Sequence, residues 1–388
     1  MNNFSIAPTP LLYFGPGAIT HLPNLIERWG SRVLLITGKN SFTASPWQEK
    51  ILAQLRSFQV FHVLHSGEPT VDQVNDLLLQ LRTESFDCIV GIGGGSVLDM
   101  GKALSAMLTV NDTIENYLEG LPTYRPHPGS KIPFVAIPTT AGTGSEATKN
   151  AVISRYGENG YKRSLRHNNF IPNAAIIDPQ LQVTCPPQVT ATSGMDALTQ
   201  LIESYFSPQA NLFTDILAEK GIELAAQSLL KVYTDPQHID SRTHMAMAAY
   251  LSGITLAHAG LGAVHGFASS IGGLYNATHG AICGCLLTRT LEINLQKMLK
   301  LPNQPYHHKI YRLAQILQPT DSLKNIEHAA DSIVKIINDW AQQLNIPSLQ
   351  MLGVEQAAID KIARQTQIKN NPVPLDEAEL RNILMTSW

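Results

Sequence analysis

Cysteine is scarce in this chain: the 388 residues hold four, Cys88, Cys185, Cys283 and Cys285. So few, so scattered, cannot form a disulfide framework. Cys283 and Cys285 have the spacing of half a metal site. No second pair exists, however, and the surrounding run AICGCLL is apolar, so they read as small buried residues. Charge is sparse as well, at 15% of residues with a formal net charge of −3, and no dense Lys/Arg run occurs. That balance argues against nucleic acid and other extended electrostatic partners. Long apolar runs are missing: none reaches the roughly 18 residues that a membrane span needs. The opening MNNFSIAPTPLLYFG has no basic segment followed by an uninterrupted apolar stretch, so no signal peptide is expected. The expectation is a soluble, cytoplasmic protein.

What is present is apolar residue, 44% of the chain, enough for two or three buried units at about 150 residues each. Short β-rich runs at 33–37, 60–64, 88–92, 134–137 and 175–177 alternate with helix-like segments at 47–58, 71–83 and 97–108. Buried apolar strands between amphipathic helices predict a parallel, doubly wound sheet. Such sheets bind ligands at their carboxyl ends, here the turns at Gly38, Gly67, Gly93 and Thr139. After the Cys185-Pro186-Pro187 punctuation the pattern becomes helical, for example at 214–233, 244–258, 310–317 and 325–344. The fold class expected is α/β followed by all-α, divided at 180–190 into domains 1–186 and 187–388. Residues 303–309 (NQPYHHK) read as an exposed connection with two solvated histidines.

In the run Ile89 to Ser96, the third of those strands ends in three glycines, Gly93, Gly94 and Gly95, with Ser96 offered as an N-cap to the next helix. Glycine lets backbone approach a ligand, and free amides with the helix dipole suit a diphosphate. Asp99 and Lys102, three apart on that helix, brace the turn. A second loop follows the fourth strand and carries Thr139, Thr140, Gly142, Thr143, Gly144 and Ser145. Two such loops favour a phosphate-bearing cofactor.

The helical half opens with Asp196 and Gln200, four apart and therefore on one helical face. His265 follows in a Gly/Ala-rich apolar run, where an unpartnered imidazole is costly, and His279 precedes a glycine. One carboxylate and two imidazoles with an open position suit a catalytic divalent metal. The competing reading is a satisfied core histidine, the role expected of His258 and His21.

Taken together these residues resemble the iron-containing (group III) alcohol dehydrogenase family. The motifs are FGPGAI (14–19), GIGGGSVLDMGKA (91–103), PTTAGTGSEAT (138–148), SGMDALTQLIESY (193–205) and GLGAVHGFASSIGGLYNATHG (260–280). The resemblance implies an N-terminal Rossmann-like parallel-sheet domain and a C-terminal helical domain, in the dehydroquinate synthase-like architecture. It implies a metal-dependent, NAD(P)-linked oxidoreductase interconverting a small alcohol and its aldehyde or ketone, and a homodimer. The dinucleotide would lie on Gly94, Gly95 and Ser96, with Thr139, Thr140 and Thr143 beside it and Lys162 at its ribose. The metal, Fe2+ or Zn2+, would be held by Asp196, His265 and His279.

Three positions depart from the family pattern. Gln200 stands where a histidine ligand is usual, so either its carbonyl oxygen coordinates or three protein ligands remain, as in the similar zinc-using glycerol dehydrogenases. Ser269 stands where many members carry a histidine suited to proton transfer, a role that a hydroxyl fills only as a relay. The segment Gly38-Lys39-Asn40 lacks the acid that binds the ribose 2′-hydroxyl in NAD-using members, and Lys39 suits a 2′-phosphate. Alternatives within the same resemblance are a maleylacetate- or phosphonoacetaldehyde-type reductase, a dehydroquinate synthase-like lyase, or a catalytically decayed binding protein.

Overall fold

The computed structural model describes residues 3–157, 160–319 and 322–388. Eight strands are found among them: β1 (Leu11–Phe14), β2 (Arg32–Gly38), β3 (Gln59–His65), β4 (Cys88–Gly93), β5 (Phe134–Pro138), β6 (Asn150–Arg155), β7 (Tyr161–Arg166) and β8 (Ala174–Ile177). Six form one sheet in the order β1-β8-β5-β4-β2-β3, with every adjacent pair parallel. Helices α1 (Leu22–Ile26), α2 (Gln48–Gln54), α3 (Val71–Leu81) and α4 (Gly95–Met107) cover it.

Alternation explains why both faces are covered. Leu34, Ile36, Ile89, Phe134 and Ala136 point to one side and pack with Val74 and Leu78 of α3 and Leu104 of α4. Val33, Leu35, Val90, Ile92, Val135 and Ile137 point to the other and meet Leu22, Leu25 and Ile51. The five runs expected as strands are all present. Preceding them is β1, so the glycine turn follows the fourth strand rather than the third.

From Pro187 onward the chain is helical: α5 (Pro187–Phe206), α6 (Leu212–Thr234), α7 (Ile239–Ala259), α8 (Ala263–Leu274), α9 (His279–Leu299), α10 (His307–Leu317), α11 (Ile326–Gln343), α12 (Ile359–Gln365) and α13 (Glu377–Thr386). Their apolar faces close around α5 and α9, whose Met195, Leu198, Ile282 and Leu286 are buried in one large cluster. Among the described residues no single helix is long and apolar enough to cross a membrane.

Two expectations need correction. Residues 307–309 are not a connection, for His307 and His308 open α10. Lys309 ties that helix down by donating to Asp215 Oδ1 and to the Tyr205 carbonyl, each at 2.6 Å. His258 is satisfied as expected, accepting from the Ala7 amide at 2.9 Å and facing the Ile254 carbonyl at 2.8 Å. His21 is exposed instead, lying against the Tyr13 ring at 4.4 Å.

Candidate active site

The two hydroxyl- and glycine-rich loops sit side by side because β4 and β5 are hydrogen-bonded neighbours. The Thr139 amide donates to the Gly93 carbonyl at 2.9 Å. A Cβ on Gly95 would stand 2.6 Å from Thr143 Cγ2 and Oγ1, so the loops touch where only glycine fits. Helix α4 begins at Gly95 with Gly94 at its cap, and Ser96 falls inside the first turn rather than at the N-cap expected of it. First-turn amides of a helix have no intrahelical acceptor. Those of Gly95 and Ser96, with the dipole behind them, could hold an anion. Beside it, β2 ends at Gly38, and Lys39 and Asn40 are exposed.

Asp99 and Lys102 brace this arrangement. Asp99 accepts from Ser145 Oγ at 2.5 Å and from the Val152 amide at 2.9 Å. Lys102, fully buried, donates to the Ser145 carbonyl and to Thr148 Oγ1, both at 2.9 Å, and pairs with Asp99 at 3.2 Å. Burial pushes the neighbouring Glu146 carboxyl up to about 7, against the pull of its own amide and of Lys102. Its native pKa therefore exceeds its unfolded one. Between pH of about 4.5 and 7 the folded state holds a proton that the unfolded state has lost, so stability falls as pH rises through that window. Glu146→Gln is expected to flatten the slope and to gain at most roughly 3 kcal/mol above pH 7, converting the shift at 1.36 kcal/mol per unit. Urea midpoints of both proteins from pH 4 to 8 check this, and parallel curves would contradict it.

The loop after β5 also reaches the helical half. A Cβ on Gly142 would lie 2.6 Å from Ser193 Cβ on α5, one turn before Asp196. Gly144, at φ +62°, passes so close to α7 that an added Cβ would meet Gly253 Cα at 2.5 Å. The candidate dinucleotide loops thus border the helix that carries the carboxylate.

Asp196, Gln200 and Glu203 recur along one face of α5, at i, i+4 and i+7, and all three are buried. His265 lies in the first turn of α8 and His279 opens α9. The imidazole Nε2 atoms stand 3.5 Å (His265) and 3.7 Å (His279) from Asp196 Oδ1. Asp196 is 1% exposed, and neither carboxylate oxygen has a hydrogen-bond partner. A buried, unpaired carboxylate costs several kcal/mol, and a cation between it and the imidazoles removes that cost. Burial pushes Asp196 toward its neutral form, but His279 and His265 outweigh this and hold it below its ordinary value. Burial drives His279 down to about 4, leaving the neutral imidazole that a metal requires. On His265 burial is overcome by Cys283, Asp196 and Glu203, which raise it well above its usual value. The donor set fits a divalent metal.

Two members of this cluster escaped the sequence reading. Glu203 Oε2 faces His265 Nδ1 at 2.6 Å, and its Oε1 accepts from the Val264 amide at 2.7 Å. It thereby orients the imidazole and satisfies an N-terminal amide of α8, whose cap, Gly262, has no side chain. The signal was its i+7 spacing from Asp196. Cys283, fully buried one turn after His279, places Sγ 3.8 Å from His265 Nε2 and 3.7 Å from His279 Nε2.

The remaining expected residues are more occupied. Gln200 accepts from Ser252 Oγ at 2.7 Å. Ser269 is exposed and donates to its own helix at the His265 carbonyl, at 3.0 Å. Lys162 sits on the β6–β7 hairpin, a unit not foreseen from sequence, with Nζ 2.5 Å from Glu68 Oε2.

Comparison with known proteins covers nearly the whole chain. The family model described as Iron-containing alcohol dehydrogenase spans 9–179, and Fe-containing alcohol dehydrogenase family, C-terminal, spans 190–388. The sequence is 31% identical to long-chain-alcohol dehydrogenase 1 of Geobacillus thermodenitrificans, over 96% of this chain and 94% of that protein. It is 32% identical to 1,3-propanediol dehydrogenase of Klebsiella pneumoniae, over 97% and 96%. The solved alcohol dehydrogenase from Oenococcus oeni superposes with a TM-score of 0.87 at 28% identity, covering 100% of both chains.

Proposed function

This chain belongs to the iron-containing alcohol dehydrogenase family, and on that premise we propose how its residues divide the work. The reaction is oxidoreduction between an alcohol and its aldehyde or ketone, linked to a nicotinamide dinucleotide. Residues 1–186 form the dinucleotide-binding unit and 187–388 the metal-binding unit. The observation that carries this division is the unpartnered Asp196 carboxylate facing two imidazoles, on the helix that the Gly142 loop touches.

Asp196, His265 and His279 hold the cation, with Glu203 fixing the ring of His265 and leaving its Nε2 toward Asp196. A bound divalent cation supplies Lewis-acid polarisation of the alcohol or carbonyl oxygen, and the nicotinamide ring accepts or returns the hydride. Gly94, Gly95 and Ser96 cradle the diphosphate, while Thr139, Thr140 and Thr143 offer hydroxyls along the same wall. Lys162, held by Glu68, would be the residue to meet the ribose. Ser269 donates its hydroxyl hydrogen to the His265 carbonyl, which leaves its oxygen to accept a hydrogen bond; the substrate proton would leave to solvent.

Lys39 bears on cofactor choice. It is exposed just beyond β2, the strand beside the glycine turn, and Gly38-Lys39-Asn40 contributes no acid there. A lysine at this place favours a 2′-phosphate, so NADP(H) binds at least as tightly as NAD(H). A panel of short alcohols and aldehydes with each dinucleotide, read by nicotinamide absorbance, tests the activity and the preference together. Lys39→Glu is expected to weaken NADP+ about tenfold or more, the scale of a lost charge-assisted contact, and to leave NAD+ binding nearly unchanged. Strict NAD+ preference in the unmodified protein contradicts the assignment.

A further inference from the structure

Resting on the metal-site reading above, we infer that Cys283 is the fourth protein ligand of the cation, taking the place that Gln200 leaves. The argument is geometric. Asp196, His265, His279 and Cys283 each turn one ligand atom inward, and these four atoms lie within 4.8 Å of one another. In a tetrahedral zinc site, bonds of about 2.0–2.3 Å separate neighbouring ligand atoms by roughly 3.3–3.6 Å. Here the carboxylate-to-imidazole separations are 3.5 and 3.7 Å, and the sulfur-to-imidazole ones 3.8 and 3.7 Å. These four of the six edges lie within a few tenths of an ångström of that figure, and the other two are within 4.8 Å.

Independent support comes from the residues around Cys283. Asp196 is buried and neither of its oxygens has a hydrogen-bond partner. Gln200, the other candidate ligand, accepts from Ser252 Oγ with its carbonyl oxygen. Cys283 follows His279 by one turn of α9, so the helix presents imidazole and sulfur on one face as a preformed pair. Cys285 points away, its Sγ on the Ser387 carbonyl at 3.4 Å, and the two cysteines do not act together.

Coordination releases the thiol proton to solvent as the cation enters. A thiolate among the ligands makes the site softer than one built from carboxylate and imidazole alone, which biases it toward zinc over iron.

Cobalt(II) titrated into metal-stripped protein tests the assignment apart from turnover. The unmodified protein is expected to show the visible bands of tetrahedral cobalt together with a near-ultraviolet sulfur-to-cobalt charge-transfer band. Cys283→Ser should lose the charge-transfer band and bind zinc at least ~10-fold more weakly, since even an outer-shell partner is worth that much. Cys285→Ser and Gln200→Ala should keep the band. Visible bands without charge transfer in the unmodified protein, or charge transfer persisting in Cys283→Ser, overturn the thiolate ligand and leave the three-residue site standing. No cobalt uptake at all overturns both.

Discussion

Asp196→Ala is expected to lower kcat/KM for alcohol oxidation by about a thousandfold or more, together with loss of bound metal. Among the four inward-facing groups the carboxylate is the one oxygen donor, it is 1% exposed, and neither of its oxygens has a hydrogen-bond partner. Removing it leaves two imidazoles and a thiol around a larger cavity that has lost its carboxylate, which cannot hold a dication in place. The polarisation that a metal gives a reacting oxygen is worth several kcal/mol, and each 1.36 kcal/mol is a factor of ten in rate. Dinucleotide affinity should change little, because the diphosphate cradle on α4 is built from other residues. Metal content by elemental analysis, kcat/KM, and a dinucleotide titration on the same preparation separate these effects. Full turnover with full metal content in the variant contradicts the account.

The second large effect is expected at the opposite wall. In Gly95→Ala the new methyl carbon would stand 2.6 Å from Thr143 Cγ2 and Oγ1 and 3.0 Å from Thr143 Cβ. Relief requires the two loops to part, and overpacking of this kind costs about 1–3 kcal/mol. The loops are the proposed cofactor wall, so the cost appears as dinucleotide affinity reduced about tenfold or more, with metal content retained. Thr143→Ala in the same chain removes the two atoms at 2.6 Å and leaves the one at 3.0 Å, so it should restore part of the affinity. Unchanged dissociation constants in Gly95→Ala would contradict placement of the cofactor here.

The parallel sheet was legible because its strands are buried on both faces and therefore appear as unbroken apolar runs, such as Val33–Ile36 and Cys88–Ile92. The β6–β7 hairpin was not, since Tyr161–Arg166 reads YKRSLR, half-buried and mostly polar. Its place is set by pairing with β6 and by Lys162 meeting Glu68, contacts that no local pattern announces. Ser96 was taken for a cap because serine favours that position. Backbone geometry puts Gly94 there instead, at φ −72° and ψ −178°.

Within the metal cluster, residue type and surroundings make Asp196, His265 and His279 candidates, and the family resemblance is what implies them as ligands. Cys283 was passed over because AICGCLL is apolar, and an apolar helix segment hides a ligand as readily as a core residue. The four-residue step from His279 to Cys283 carries the same information as the step from Asp196 to Gln200. Only the packing of α8 against α9 brings that sulfur to His265. Gln200 illustrates the converse, for its spacing was right while Ser252, 52 residues further on, holds its oxygen.

The central claim is that a divalent cation at Asp196, His265 and His279 makes this chain an alcohol dehydrogenase. Its most direct test is removal and return of the metal under anaerobic conditions, with NAD(P)H formation from a primary alcohol followed at each stage. The account predicts that activity disappears on chelation, returns with stoichiometric Zn2+ or Fe2+, and never returns in Asp196→Ala. Undiminished alcohol oxidation by the metal-free protein would contradict it.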